Sequence, residues 1–203
     1  MSRTRTLTLA DLVADPFRQF AVWYKLARAE GVPYPEACAV ATSGRDARPS
    51  VRMVLLKEFD TRGFVFATNY ESRKGRELAE NPNAALLFYW HLQGRQVRIE
   101  GAVARVSPEE ADAIFADRPR GSRISALASQ QSRPLVSRDE LLERVRRLDS
   151  ELAEREPERA GHWGGYRLDP IAIEFWQHEE NRLHHRFVYR REHDGWRIEM
   201  LQP

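Results

Sequence analysis

Between residues 37 and 106 the chain alternates short apolar runs with turn clusters, and this rhythm constrains the fold more than any other feature. The runs at 37–42, 50–57, 64–68, 84–91 and 95–106 are rich in Val, Leu, Ile and aromatic residues, the composition of pleated strands. Ser43-Gly44-Arg45-Asp46, residues 60–63 and Gln93-Gly94 separate them, and their glycines and small polar side chains favour turns. Strands joined mostly by short turns pair antiparallel, and such a sheet escapes open edges by curling into a barrel. Further strands are predicted at 171–177, 182–190 and 196–201, with Asp194-Gly195 a strong hairpin signal between the last two. The sheet is therefore built from both ends of the chain, with helices inserted between.

The helices announce themselves by their caps. Asp15-Pro16 is a capping carboxylate followed by proline at the first helical position, and Phe17, Phe20, Ala21 and Tyr24 then recur at helical spacing up to Gly31. A short helix at 72–80 is closed by Asn81-Pro82. Ser107-Pro108-Glu109-Glu110 is a capping box, and Ala111, Ile114 and Phe115 form the buried side of the helix it starts. Pro119 ends that helix, a further one covers 122–128, and Ser137 with Glu140 makes a second capping box. After it, Leu141, Val145, Leu148 and Leu152 lie along one face of a charged helix and read as a packing seam. Residues 157–165 read as a loop, with a tight turn at 163–166. With neither linker nor repeat visible, the chain reads as one α+β domain over 15–203, preceded by a flexible segment over 1–14.

At 203 residues the chain is long enough to bury a sizeable core. Its 32 basic and 30 acidic residues nearly cancel, so its net charge supplies no general attraction to nucleic acid. The longest apolar run, 84–90, is far short of the ~20 residues a membrane helix needs, and the N-terminus lacks the apolar segment of a secretory signal. A single cysteine, Cys38, leaves no intrachain disulfide and no cysteine-rich zinc site, and a cytoplasmic protein is the expectation. His184 and His185 are adjacent in a predicted strand and so point apart, and His178-Glu179 does not continue into HExxH, so no metal site is expected.

The stretch 52–74 is the first candidate for chemistry. Arg52 and Lys57 bracket an apolar run, and Ser72-Arg73-Lys74 stands where a helix begins. Cations flanking a strand are commonly solvated ends, yet basic residues in a first helical turn oppose the helix dipole unless an anion sits there. The second candidate is RLHHR at 182–186. In a strand Arg182, His184 and Arg186 share one face, which is either solvated or a grip on an anionic substrate. Arg118 and Ser122 lie four apart beside the proline break, and Gln131 and Ser132 follow a short helix. No GxSxG, P-loop or GxGxxG occurs. The residues alone point to a barrel with scattered cation sites suited to phosphates and do not name a reaction.

Read together, RMVLLK at 52–57, TNYESRKGREL at 68–78, NPNAALLFYW at 81–90, RQVRIEG at 95–101, RPRGS at 118–122, QQS at 130–132, HWGGYRL at 162–168, EFWQ at 174–177 and RLHHR at 182–186 resemble, in order, the pyridoxamine 5′-phosphate oxidase family. The resemblance covers the chain from about Asp15 to Pro203. It implies an FMN-binding split β-barrel with peripheral helices, working as a homodimer with FMN at the interface. The implied reaction oxidises pyridoxine or pyridoxamine 5′-phosphate to pyridoxal 5′-phosphate, with O2 taking the electrons to form H2O2. By motif, Arg52, Met53, Val54, Leu55, Leu56, Lys57, Ala67, Thr68, Arg73 and Lys74 would line the FMN, with Arg73 and Lys74 near its phosphate. Gln96, Gln131, Ser132, Trp176 and Arg186 would complete that site. Lys57, Arg118 and Ser122 would hold the substrate phosphate, and Arg182, Leu183 and His184 would close over the substrate ring, Arg182 and His184 acting in catalysis.

Three positions depart from the family pattern. Ile114 stands where a tyrosine hydroxyl usually meets the substrate phosphate, Ala67 replaces a commoner aromatic, and His185 replaces an aspartate. They keep open a related flavin oxidase acting on tricyclic dihydrophenazines, although that group tends to lose the lysine and the WGGY segment retained here as Lys57 and residues 163–166. A non-catalytic FMN or pyridoxal-phosphate binding barrel is the third reading. Retention of Lys57, Arg118, Ser122, Arg182 and His184 argues against it, since a carrier needs no substrate-orienting side chains.

Overall fold

Local capping chemistry starts the helices as the sequence predicts. In a computed structural model that describes residues 6–203, the Asp15 carboxylate accepts the Phe17 backbone N–H (2.8 Å) and opens α1 (Pro16–Ala29). Gly31, at φ +72°, takes the left-handed conformation just past the end of that helix. Three strands follow, β1 (Ala37–Ser43), β2 (Pro49–Asp60) and β3 (Gly63–Asn69), then α2 (Arg73–Glu80), β4 (Asn83–Trp90) and β5 (Arg95–Arg105). The reciprocal bonds of the Ser107/Glu110 capping box begin α3 (Pro108–Ala116), and α4 (Arg120–Ala128) and α5 (Arg138–Leu152) complete the insertion. At Ser137 one half of the second box forms, the hydroxyl accepting the Glu140 N–H (3.2 Å). The chain closes with β6 (Trp163–Gln177), β7 (His185–Glu192) and β8 (Gly195–Met200).

All eight strands join one antiparallel sheet in the order β3-β2-β1-β4-β5-β6-β7-β8, and an additional β3–β6 pairing closes the first six into a barrel. The long β6 makes this possible. One edge runs along β5 from Arg105↔Tyr166 to Arg95↔Gln177. The other edge is divided: residues 163–168 pair with β3, and residues 172–177 pair with β7. Pro170, with no N–H to offer, falls between the two pairings, and the register shifts there by one residue against β5. The result is the split barrel that the resemblance implies.

The barrel is filled by aromatic rings. Phe64, Phe66, Phe88, Phe175 and Phe187 are buried, and α1 lays Phe17, Phe20, Trp23 and Ala27 against them. Phe20 packs edge-on to Phe59 (4.8 Å), Phe64 (5.0 Å) and Phe88 (5.1 Å). Outside the barrel, Arg167 on β6 bonds Asp60 (3.1 Å) at the β2–β3 hairpin and Glu110 (2.8 Å) on α3, tying that helix down. Leu7 is buried, and the Tyr189 hydroxyl donates to the Val13 carbonyl (2.7 Å). The expected flexible segment falls in part on residues 1–5, which lie outside the described residues. No helix among the described residues is long and apolar enough to cross a membrane.

Three local expectations are corrected. Residues 163–166 are not a tight turn but the start of β6, and their glycines serve close approach: a Cβ on Gly164 would lie 2.1 Å from the Tyr70 Oη. The strand expected from residue 182 begins at His185, because Asn181 and Arg182 adopt positive φ (55° and 65°) in a short 3-10 turn. Arg182, His184 and Arg186 therefore do not share a strand face. The apolar stripe of α5 is no buried seam: none of its residues is buried, and Leu141, Leu142 and Val145 face an open cavity instead.

Truncating the ring at the centre of this core tests the packing. Phe20→Ala is expected to lower unfolding free energy by roughly 3–5 kcal/mol in urea titrations. A cost below about 1 kcal/mol would mean that α1 docks loosely.

Candidate functional site

The expected cations at the start of α2 divide between two neighbouring sets of partners. Ser72 caps the helix, its hydroxyl accepting the Gly75 N–H (3.2 Å), and this directs Arg73 and Lys74 to different sides. Arg73 reaches along the helix to Glu77 (Nε–Oε1, 2.8 Å). Arg52 points from β2 to the same carboxylate (Nη2–Oε2, 3.3 Å) while Nη1 donates to the Thr42 hydroxyl (2.6 Å). Lys74 turns inward and is buried, its Nζ donating to Thr68 Oγ1 (2.9 Å) and Gln131 Oε1 (3.0 Å). Both acceptors are neutral. Burial, with the nearby Arg52 charge, pulls the Lys74 ammonium down to about 8, and Glu77 offsets this in part. A buried cation satisfied only by neutral groups is a poor resting arrangement and a good anion site.

A cavity of about 420 Å³ adjoins this cluster, lined by Ala67, Thr68, Gln131 and Arg118 and roofed by α5. Arg118 donates to the Ser122 carbonyl (3.0 Å) and lies over the Trp163 ring (5.0 Å). Its Nε is buried without a partner, and burial lowers its pKa, so this guanidinium too can take an anion. Ser132 sits beside Gln131 at φ +70°. Ile114 packs instead on Val65, Val106 and Ala111 in a small apolar cluster under α3.

The remaining candidates form a second group on the outside of the barrel. Gln96, Trp176 and Arg186 are direct neighbours across β5, β6 and β7. The His184 ring lies 4.6 Å from Trp176 and accepts the Glu179 N–H at Nδ1 (3.2 Å), so in the neutral imidazole Nε2 carries the proton. Burial, then His178, Arg182 and Arg186, lower its pKa and favour that neutral form. Arg186 is held by the buried Glu174 (2.7 Å). Arg182 and Leu183 are exposed on the adjoining turn. Among the described residues, no hydrogen bond, ion pair or ring contact joins this group to the first.

The run 52–57 is divided by the strand period. Val54 and Leu56 turn toward the core, while Met53 and Leu55 are exposed. Lys57 stands exposed at a bulge, where Leu56 pairs Phe66 and Glu58 pairs Val65. Sequence reasoning missed Glu77 and Glu174, the acidic partners of Arg52, Arg73 and Arg186, and Glu179, whose backbone N–H meets His184. Only Glu77 carried a signal, its i,i+4 spacing from Arg73.

Fold and site together define a split-barrel protein with a buried, cation-rich cluster beside an open cavity. Residues 26–151 match the family described as pyridoxamine 5′-phosphate oxidase, and residues 163–203 match the pyridoxine 5′-phosphate oxidase C-terminal dimerisation region. The chain is 52% identical to the pyridoxine/pyridoxamine 5′-phosphate oxidase of Paraburkholderia phytofirmans, over 98% of this chain and 93% of the relative. It is 54% identical to the protein of the same name from Rubrobacter xylanophilus, over 93% and 87%. Among solved structures it is similar to PhzG from Burkholderia lata in complex with tetrahydrophenazine-1-carboxylic acid (33% identity, TM-score 0.92, 98% of this chain and 99% of that one). It also shares its fold with a pyridoxamine 5′-phosphate oxidase-related, FMN-binding protein from Nostoc punctiforme (17% identity, TM-score 0.76, 95% and 100%). The chain belongs to the pyridoxamine 5′-phosphate oxidase family.

The Lys74 shift sets a pH signature. Its ammonium is charged below about 8 and neutral above, so phosphomonoester affinity should be steady from about pH 7 to 8 and fall beyond it. Calorimetric titration checks this, and Lys74→Met should weaken binding roughly tenfold at neutral pH and flatten the profile. Unchanged wild-type affinity up to about pH 9.5 would remove Lys74 from the site.

Proposed function

We propose that this protein is an FMN-dependent oxidase of pyridoxamine or pyridoxine 5′-phosphate, producing pyridoxal 5′-phosphate and, from O2, H2O2. The observation that carries the reading is the buried Lys74, flanked by Arg52 and Arg73 and bonded only to neutral acceptors, which suits the phosphate of FMN. The names of the relatives at 52% and 54% identity supply the substrate class. FMN, when bound, would take two electrons from the substrate and pass them to O2.

The protein's own part is binding and orientation. Lys74, Arg73 and Arg52 take the cofactor phosphate, with Thr68 and Gln131 beside it. Arg118, with Lys57 and Ser122, takes the substrate phosphate, remote from the reacting carbon, and so positions that carbon. His184 meets the substrate ring as a neutral Nε2–H donor, with Arg182 and Leu183 closing over it. Gln96, Trp176, Arg186, Ala67 and Ser132 complete the walls.

The two groups of candidates are apart in one chain, and a homodimer supplies the missing half of each site. Met53 and Leu55 on β2 and Leu87 and Tyr89 on β4 leave an exposed apolar sheet face that suits a second copy. The C-terminal segment that matches the dimerisation region contains Trp176, His184 and Arg186.

A second reading, oxidation of a reduced tricyclic phenazine-type substrate, draws on the likeness to PhzG and on the loss of a tyrosine at Ile114. The retained Lys57 and 163–166 segment, and the higher identity to the vitamin B6 oxidases, favour the first reading.

Anaerobic mixing of FMN-loaded protein with either B6 phosphate is the deciding experiment. Flavin absorbance should bleach and recover on admitting air, with pyridoxal 5′-phosphate formed. Arg118→Ala should raise KM roughly ten- to a hundredfold, the loss of charge-assisted bonds to phosphate. Bleaching by a reduced phenazine and by neither B6 phosphate would establish the second reading instead.

A further inference from the structure

One carboxylate stands inside the cation cluster at the start of α2, and its bonding is unusually complete. Both oxygens of Glu77 are used. Oε1 accepts from Arg73 (2.8 Å), and Oε2 accepts from the Ser50 hydroxyl (2.5 Å), the Thr42 hydroxyl and Arg52 (3.3 Å). The two hydroxyls also accept from Arg52, Nη1 reaching Thr42 (2.6 Å) and Nη2 reaching Ser50. Each hydroxyl thus donates to the carboxylate and accepts from the guanidinium, fixing the Arg52 plane against Glu77. Burial alone would raise the Glu77 carboxyl, but the bonds from Ser50, Thr42 and Arg73 and the Arg52 charge bring it down to about 2, so it is ionised at every working pH.

The charges balance toward a ligand. Arg52, Arg73 and Lys74 set three cations against this single carboxylate, leaving two positive charges, which matches a phosphomonoester dianion. The Glu77 side chain is only 12% exposed and already saturated with donors, so it has nothing to offer a ligand directly. Resting on the reading of this cluster as the FMN phosphate site, we infer that Glu77 is a positioning residue for the cofactor: it holds Arg52 and Arg73 in the geometry that receives the phosphate, without touching it.

Charge and geometry pull in opposite directions here, and the sign of one measurement separates them. If Glu77 acted only through its charge, Glu77→Gln would remove a repulsion and tighten FMN binding. As a positioning residue it should instead weaken FMN binding by on the order of tenfold, the size of one lost charge-assisted hydrogen bond. The measurement is equilibrium quenching of flavin fluorescence by the full-length apoprotein, with FMN and riboflavin titrated in parallel and folding checked by circular dichroism. Riboflavin, which has no phosphate, should bind the variant and the wild type alike. Ser50→Ala keeps every charge and removes one relay, and should weaken FMN binding by about threefold with the same indifference to riboflavin. It alone decides the matter if Glu77→Gln does not fold. FMN affinity unchanged or improved in the folded variants overturns the inference while leaving the cofactor site intact. Wild-type protein that fails to distinguish FMN from riboflavin overturns the cofactor-phosphate reading, and the inference falls with it.

Discussion

At Pro170 the longest strand of the molecule changes partners, and the rest of the architecture depends on that exchange. Residues 163–168 of β6 close the barrel against β3, while residues 172–177 carry the sheet outward to β7 and β8. A strand edge can pair with only one neighbour at a time, so the proline, lacking an N–H, marks where one ladder gives way to the next. Before the exchange, β6 holds Trp163 under Arg118 and the cavity. After it, β6 places Trp176 between Gln96 and Arg186 on the outside. One strand thus contributes to both groups of site residues.

The electrostatics of the two groups differ in kind. On the outside, Arg186 and Arg98 are matched by two carboxylates, the buried Glu174 and Glu100, and what remains is a shaped surface with His184 held in one tautomer. At the start of α2, cations outnumber the carboxylate, and Lys74 is buried without a counter-charge. A protein tolerates such an imbalance where a ligand completes it, since an unpaired buried cation is costly on its own. The proposed phosphate would also offset the basic first turn, which is unfavourable to the helix dipole in isolation.

Much of this was legible in the chain. Turn clusters and β-branched runs marked eight strands, and the Asp15 and Ser107 caps marked two helix starts, because these depend on neighbours within a few residues. The basic pair Arg73-Lys74 at a helix start was also visible in the chain, and the structure buries Lys74 while pairing Arg73 with Glu77. The failures occurred where distant residues decide. The glycines at 164 and 165 looked like a turn, but Gly164 makes room for Tyr70, distant in sequence, whose hydroxyl donates to the Gly165 carbonyl. Arg182 looked like part of an alternating strand, but its backbone turns left-handed in the loop that seats His184 on Trp176.

The sequence by itself determined the antiparallel strands, the helix boundaries and the inventory of cations, since periodicity, turn residues and capping boxes act locally. Only the tertiary structure decided that Lys74 is buried and Arg73 is not, that Arg52 and Arg73 meet on Glu77, and that the candidate residues divide into two separate groups. Burial and charge pairing are properties of the closed barrel, and no residue carries them until β3 and β6 have met.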